Sequence, residues 1–178
     1  DLLWPGILTT GDNAVKHGRR PMTPPTASTL TSAAIEQRIT ALLEAMTPAE
    51  KVGQMCLVDA SIEEPSAHLG ADLRAGRIGA VLNVVDAAQV GELQRIATTE
   101  SRLGIPLLVG RDVIHGFRMV MPIPLGLAAT WNCDLVQDCA RAAAREAAAA
   151  GINWTFAPMI DVSRDARWGR IAESLGED

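Results

Sequence analysis

From Ser32 onward the apolar residues fall at helical spacing. Ile35, Ile39, Leu42, Leu43 and Met46 recur every three or four positions and form one stripe. A second helix start follows at once, because Thr47, Pro48 and Glu50 have the form of a capping box with proline at the first helical position. Val52 to Val58 reads as a short helix running into a first strand. Ile78 to Val84, small and β-branched, reads as the next strand. Asp86 can cap the helix after it, with Gln89 three residues on, and Gly104 closes that helix ahead of Pro106. Pro106 to Gly110 is a nearly all-apolar strand, the pattern expected when both faces of a sheet are covered. A long loop leads to a helix from about Cys133 to Ala150, with Asn132 as its cap and Gly151 as its stop. Ile152 to Val162 then supplies another strand, which runs into a polar, arginine-rich loop. Residues 1–31 show no periodicity, and Met22 opens a Thr/Pro-rich stretch. They are expected to be an irregular leader, with the natural start at Met22 and the domain over residues 32–178.

Strands alternating with helices mean βαβ units, hence an α/β fold around a parallel sheet. A (β/α)8 barrel and an open doubly wound sheet both fit that rhythm. No Gly-x-Gly-x-x-Gly or phosphate loop follows any of the strands, which favours the barrel. A whole barrel takes about 250 residues, whereas 178 residues hold only three to four strand–helix units. The expectation is therefore the N-terminal part of a (β/α)8 TIM-type barrel, truncated, with two unpaired edges.

Charge removes two classes of partner. The net charge of −5 argues against nucleic acid and against an anionic membrane surface, both of which need a basic patch. Arg164, Arg167 and Arg170 do gather near the end, but Asp161, Asp165 and Glu173 are interleaved with them, as in an ion-pair network. No stretch approaches the roughly 20 apolar residues of a membrane span, and the Ala140–Ala150 run is broken by Arg141, Arg145 and Glu146. The start of the chain lacks the pattern of a secretion signal. Cys56, Cys133 and Cys139 have no metal-ligand or disulfide spacing and read as buried, inert thiols. No metal and no cofactor is expected. Compartment and oligomeric state are not legible.

In a parallel barrel the chemistry sits at the C-terminal ends of the strands. Two loops qualify: Arg111 to Gly116, directly after the strand ending at Gly110, and Asp161 to Arg170, after Phe156 to Ile160. A carboxylate leaving an apolar strand there is placed to accept hydrogen bonds from sugar hydroxyls, and charge-assisted bonds are about twice as strong as neutral ones. The plainer alternative is that Asp112 only caps its loop or pairs with Arg111.

At these loops the chain resembles glycoside hydrolase family 3, in particular its bacterial β-glucosidase branch. The resemblance is carried in order by Lys51 to Met55, Gly76 to Ala80, Leu103 to Pro106, Asp112 to Gly116, Pro122 to Ala128, Ala157 to Asp161, Arg164 to Arg170 and Glu173 to Asp178. The family's usual proline between Asp165 and Arg167 is here Ala166. The resemblance implies that Asp112 and Arg170 bind the substrate, a β-linked glucoside or oligosaccharide, at the −1 subsite. Glu173 would orient Arg170, while His115 and Gly116 would be structural and Trp168 would pack in its loop. It also implies a retaining mechanism whose nucleophile, Lys-His pair and acid/base match no residue of this chain, so no catalytic residue is assigned within it. The segment Asp112 to Gly116 differs from that of the N-acetylhexosaminidase branch, which leaves β-glucosidase, with β-xylosidase second. Periplasmic or extracellular location is common among similar enzymes. A non-catalytic half-barrel that binds a sugar or a partner is the competing reading.

Overall fold

The computed structural model describes residues 31–177. The leader and the start at Met22 fall outside the described residues, apart from Thr31. The chain divides into two units between Arg38 and Ile39, and apart from residues 32–38 the architecture below belongs to the unit beginning at Ile39.

Helix α1 (Ser32–Ala45) forms where the apolar stripe predicts it, yet it carries no buried residue; Ile39 and Leu43 stay exposed. Helix α2 (Pro48–Gln54) starts on the expected box. The Thr47 side chain accepts from the Glu50 amide at 3.3 Å, and the Glu50 carboxylate accepts from the Thr47 amide at 2.8 Å. Glu50 also takes a two-pronged contact from Arg102 at 2.9 and 2.5 Å, and Arg102 donates on to the Ala45 carbonyl at 2.9 Å. One buried carboxylate thus ties α2 to the segment that precedes β3.

Four strands follow: β1 (Leu57–Asp59), β2 (Ala80–Leu82), β3 (Leu108–Arg111) and β4 (Trp154–Thr155). They pair in parallel in the order β1-β2-β3-β4, with Leu57 opposite Ala80, Ala80 opposite Leu108 and Gly110 opposite Trp154. Sequential order without a reversal is the order of a closing barrel rather than of a doubly wound sheet, which needs a switch point. The crossovers are α3 (Pro65–Arg74), α4 (Ala87–Arg95) continued by a wide turn at Ile96–Glu100, and the pair α5 (Pro124–Ala128) and α6 (Cys133–Ala149). The Asp86 and Asn132 side chains accept from the Gln89 and Leu135 amides at 2.9 and 3.0 Å, as their cap positions predict. Gly151, at φ 86°, stops α6.

The core lies between the helices and one face of the sheet. Val81 and Val109 are wholly buried there, with Leu73, Leu93, Ile96 and, from α6, Ala143 and Ala147. Alternation along the strands puts Leu57, Leu108 and Trp154 on the opposite face, where they remain 36–50% exposed. This corrects the reading of β3 as covered on both sides: among the described residues helices cover one face only. The last strand is also shorter than Ile152 to Val162, since Pro158 has no N–H to give a ladder and the chain leaves the sheet after Thr155. Helices α3 and α5 are not foreshadowed in the sequence pattern. The residue before α3, Glu64, sits at φ 49° and supplies no side-chain cap, so the start rests on Pro65. The thiols are not buried as expected. Cys133, at the exposed start of α6, is open to solvent, and Cys56 and Cys139 are half-buried.

Two glycines test the packing. A Cβ on Gly79 would meet the backbone of Gln54 at 2.5–2.8 Å, whereas one on Gly91, within α4, would meet nothing. Gly79→Ala is expected to lower unfolding free energy by about 1–3 kcal/mol, and Gly91→Ala to raise it by up to about 1 kcal/mol, both read by urea denaturation. A second test uses acid. The Arg102 guanidinium first, then the Thr47 amide, hold the Glu50 carboxyl at about 2 against an ordinary 4.5. A depressed pKa stabilises above the ordinary value and that stabilisation fades as pH falls towards the folded one. The stability difference between the parent and Glu50→Gln is therefore expected to be full above pH 4.5 and to shrink steadily as pH is lowered towards 2.

Candidate functional site

Parallel pairing brings the C-terminal tips of all four strands to one edge. At the tip of β3, Arg111 turns sideways and its Nη1 donates to Asn83 Oδ1 at 2.8 Å, just beyond β2. Asn83 holds a left-handed φ of 71°, a conformation that short amide side chains tolerate. Its Nδ2 lies 3.5 Å from Asp59 Oδ1 at the tip of β1, a long contact. Asp59 is engaged more closely by the Ser61 amide at 2.9 Å, which holds its carboxyl below the usual range. Arg111 is thus committed across the sheet, and the alternative of an Arg111–Asp112 pair is not what forms. Among the described residues Asp112 enters no ion pair. Its side chain is exposed. Alternation carried one residue past β3 puts it on the side of Leu108 and Gly110, the open face of the sheet.

The second loop is folded back on itself by a buried pair of hydroxyls, Ser163 and Ser174. The Ser163 amide donates to the Gly176 carbonyl at 3.0 Å, and Met159 bridges Ser174. Between those anchors Arg170 grips Glu173 through Nε at 3.0 Å and Nη2 at 2.6 Å. That grip draws the Glu173 carboxyl below the usual carboxylate range. Glu173 in turn raises Arg170 above its already high value, with smaller contributions from the charges of Asp161 and Asp112. Asp165 caps the turn that begins at Ala166 by accepting from the Arg167 amide at 2.9 Å, and it pairs with the Arg167 guanidinium at 2.5 Å. The expected ion-pair network is therefore two separate local pairs, and Arg164 joins neither.

The two loops meet around an open cleft of about 400 Å³, within the range of small-molecule sites. Asp112, His115 and Gly116 line it from one loop, and Ala172 and Glu173 from the other. Arg170 is not a lining residue and reaches the cleft through Glu173. Phe117, Val120 and Ile123 complete an apolar wall that sequence reasoning missed; the clue was several large apolar residues in what reads as a loop. Gly116 has φ 101°, and a Cβ there would lie 1.9 Å from the Met119 carbonyl, so only glycine permits the turn. Trp168 is 42% exposed and does not line the cleft. A depression beside Glu50 and Arg102 offers about 20 Å³, room for a water but not for a sugar. Among the described residues no three His, Cys, Asp or Glu side chains are grouped to hold a metal.

The sequence model of the Glycosyl hydrolase family 3 N terminal domain matches residues 47–178. A periplasmic beta-glucosidase of Salmonella typhimurium is 44% identical over 149 residues, which cover 84% of this chain and 20% of the relative. A beta-xylosidase of Formosa agariphila is 35% identical over 100 residues, 51% of this chain and 14% of the relative. Among solved structures, the beta-glucosidase of Listeria innocua in complex with glucose superposes with a TM-score of 0.70 at 34% identity, covering 80% of this chain and 22% of that one. The chain thus spans about a fifth of the length of the relatives it matches. With that likeness, the sequentially ordered parallel sheet is the N-terminal part of a (β/α)8-type barrel.

The hydroxyl tie predicts a localised effect. Ser174→Ala leaves the buried Ser163 hydroxyl without its partner, at a cost of about 1–3 kcal/mol. The loss should show as a lower urea midpoint together with faster amide exchange across residues 163–176.

Proposed function

The chain belongs to glycosyl hydrolase family 3, and from that membership and the strand-tip geometry we propose that it builds one wall of the substrate site of a β-glucosidase. The reaction is hydrolysis of non-reducing β-D-glucosyl ends with retention. The observation that carries this reading is Asp112: a carboxylate with no ion partner among the described residues, at the end of a barrel strand, lining a cleft that also receives the Glu173–Arg170 pair.

The roles follow from the donors and acceptors present. An ionised carboxylate only accepts, so Asp112 accepts hydrogen bonds from two neighbouring sugar hydroxyls. A guanidinium only donates. Arg170 gives its Nε and Nη2 edge to Glu173 and does not itself line the cleft, so only Nη1 is left for a sugar that reaches past Glu173. Glu173 thereby acts as the positioning partner of Arg170. Phe117 and Val120 offer apolar surface to the C–H face of a pyranose. The family's nucleophile, which would form the glycosyl-enzyme, and its acid/base match none of these residues, so the chain's own part is to bind and orient.

Glucose as the preferred sugar is supported by the Salmonella relative and by the Listeria structures in complex with glucose and laminaribiose. The xylosidase likeness is lower in identity and shorter. No helix among the described residues is long and apolar enough to cross a membrane, and a periplasmic setting is proposed on the Salmonella relative.

Two measurements bear on this. In the intact protein, Asp112→Ala removes two charge-assisted hydrogen bonds of about 1.5–3 kcal/mol each, so kcat/KM for an aryl β-glucoside should fall at least about a hundred-fold. Unchanged kinetics would falsify the assignment of Asp112. Purified residues 1–178 are expected to bind glucose saturably yet release no aglycone from the same substrate, and turnover by that piece alone would overturn the division of labour.

A further inference from the structure

The wall of the cleft opposite Glu173 is a loop with few bonds of its own. Between β3 and α5 it supplies Ile114, His115, Gly116, Phe117 and Val120 to the lining. Within the loop, the Met121 amide donates to the His115 carbonyl at 2.8 Å and Gly116 makes its tight turn. Between those points the Arg118 and Met119 amides turn away from the loop towards α6. One carboxylate oxygen, Glu146 Oε2, accepts both, at 2.9 and 3.0 Å. The helix that carries it is fixed in the core on either side, by Ala143 and Ala147, each 5% exposed.

We propose that Glu146 is a positioning residue for the sugar cleft: from a rigid helix outside the site it clamps two consecutive backbone amides and so sets the wall that faces the substrate. The inference rests on the reading of the cleft as a sugar site. Hydrogen bonds to an ionised acceptor are the stronger kind, and here two of them converge on a single atom. Phe117 and Met121 pack against the core on either side, but the exposed stretch 118–120 between them could satisfy both amides with water in many shapes; the carboxylate selects one. The two amides, Met119 first, also draw the Glu146 carboxyl below the usual range, so it remains charged at neutral pH and well into mild acid. Binding to a wall set in advance loses less ordering entropy than binding to one that must be arranged on contact.

The test compares the intact protein with its Glu146→Ala and Glu146→Gln variants. Amide exchange across residues 117–121 is measured without ligand, and glucose affinity by calorimetric titration. Glu146→Ala should speed exchange in that segment and weaken glucose binding by about ten-fold. Glu146→Gln, which keeps an acceptor oxygen, should recover most of both. Gly79→Ala, destabilised away from the cleft, should leave glucose affinity unchanged, which separates positioning from general loss of stability. Unaltered exchange at 117–121 in Glu146→Ala overturns the proposal. So does parental glucose affinity in that variant. If the parent itself binds no glucose, the sugar-site reading fails and the positioning of a sugar cleft falls with it; the exchange data then still decide separately whether Glu146 clamps the loop.

Discussion

A parallel ladder fixes the direction of every strand it contains, and the arrangement of this molecule descends from that constraint. Because β1 to β4 run the same way, each must be followed by a crossover, and each must end on the same edge. Asp59, Asn83, Arg111, Asp112 and the exit after Thr155 therefore lie along one edge of the sheet, though about a hundred residues of chain separate the first from the last. Within β3 the period of two does the remaining sorting. It sends Val109 into the core under the helices, turns Arg111 towards Asn83, and leaves Asp112 on the open side.

The helix-covered face and the open face carry different duties. Val81 and Val109 hold the covered side by burial, each contributing about 1.5–3 kcal/mol by being removed from water. Leu57, Leu108 and Trp154 on the other side contribute less of that among the described residues, because they are only partly covered, Trp154 by the Phe156 ring at 4.7 Å. An apolar open face is what the inside of a barrel looks like before its remaining strands are added. That explains how a sequence run such as Pro106 to Gly110 can be apolar throughout while only one side of it is packed.

Legibility in the sequence followed distance along the chain. The caps at Thr47, Asp86 and Asn132 and the stop at Gly151 were readable because each acts locally: the caps accept from amides three residues on, and the Gly151 amide donates to the Ala148 carbonyl. The short-range pairs Asp165–Arg167 and Arg170–Glu173 were readable as charge interleaving for the same reason, although as two pairs rather than one network. Contacts across the fold were not. The Asn83–Arg111 bond spans 28 residues, Glu50–Arg102 spans 52, and Glu146 reaches back 27 and 28. Nothing in the pattern around any one of those residues identifies its partner. Asp112 stands between these cases, since its place after an apolar strand marked it locally, while the cleft around it depends on a loop whose shape is set from another helix.

That dependence bears on how the site divides its charges. Around the strand tips, Asp59 is taken by the Ser61 amide, Asp165 by Arg167, Glu173 by Arg170 and Glu146 by the 118–119 amides. Each of these carboxylates is bonded to the protein through at least one oxygen and shapes backbone or orients a guanidinium. Asp112 and Asp161 enter no such pair in the described residues, and both act on Arg170 only at a distance. A carboxylate bound to the protein offers a ligand little, because the existing bond must first be broken. One held only by water exchanges that water for sugar hydroxyls at a small net cost. The engaged carboxylates and the free one at the cleft are therefore complementary: the former make the cleft a fixed shape, and only in a fixed shape does an unengaged acceptor discriminate between the hydroxyls presented to it.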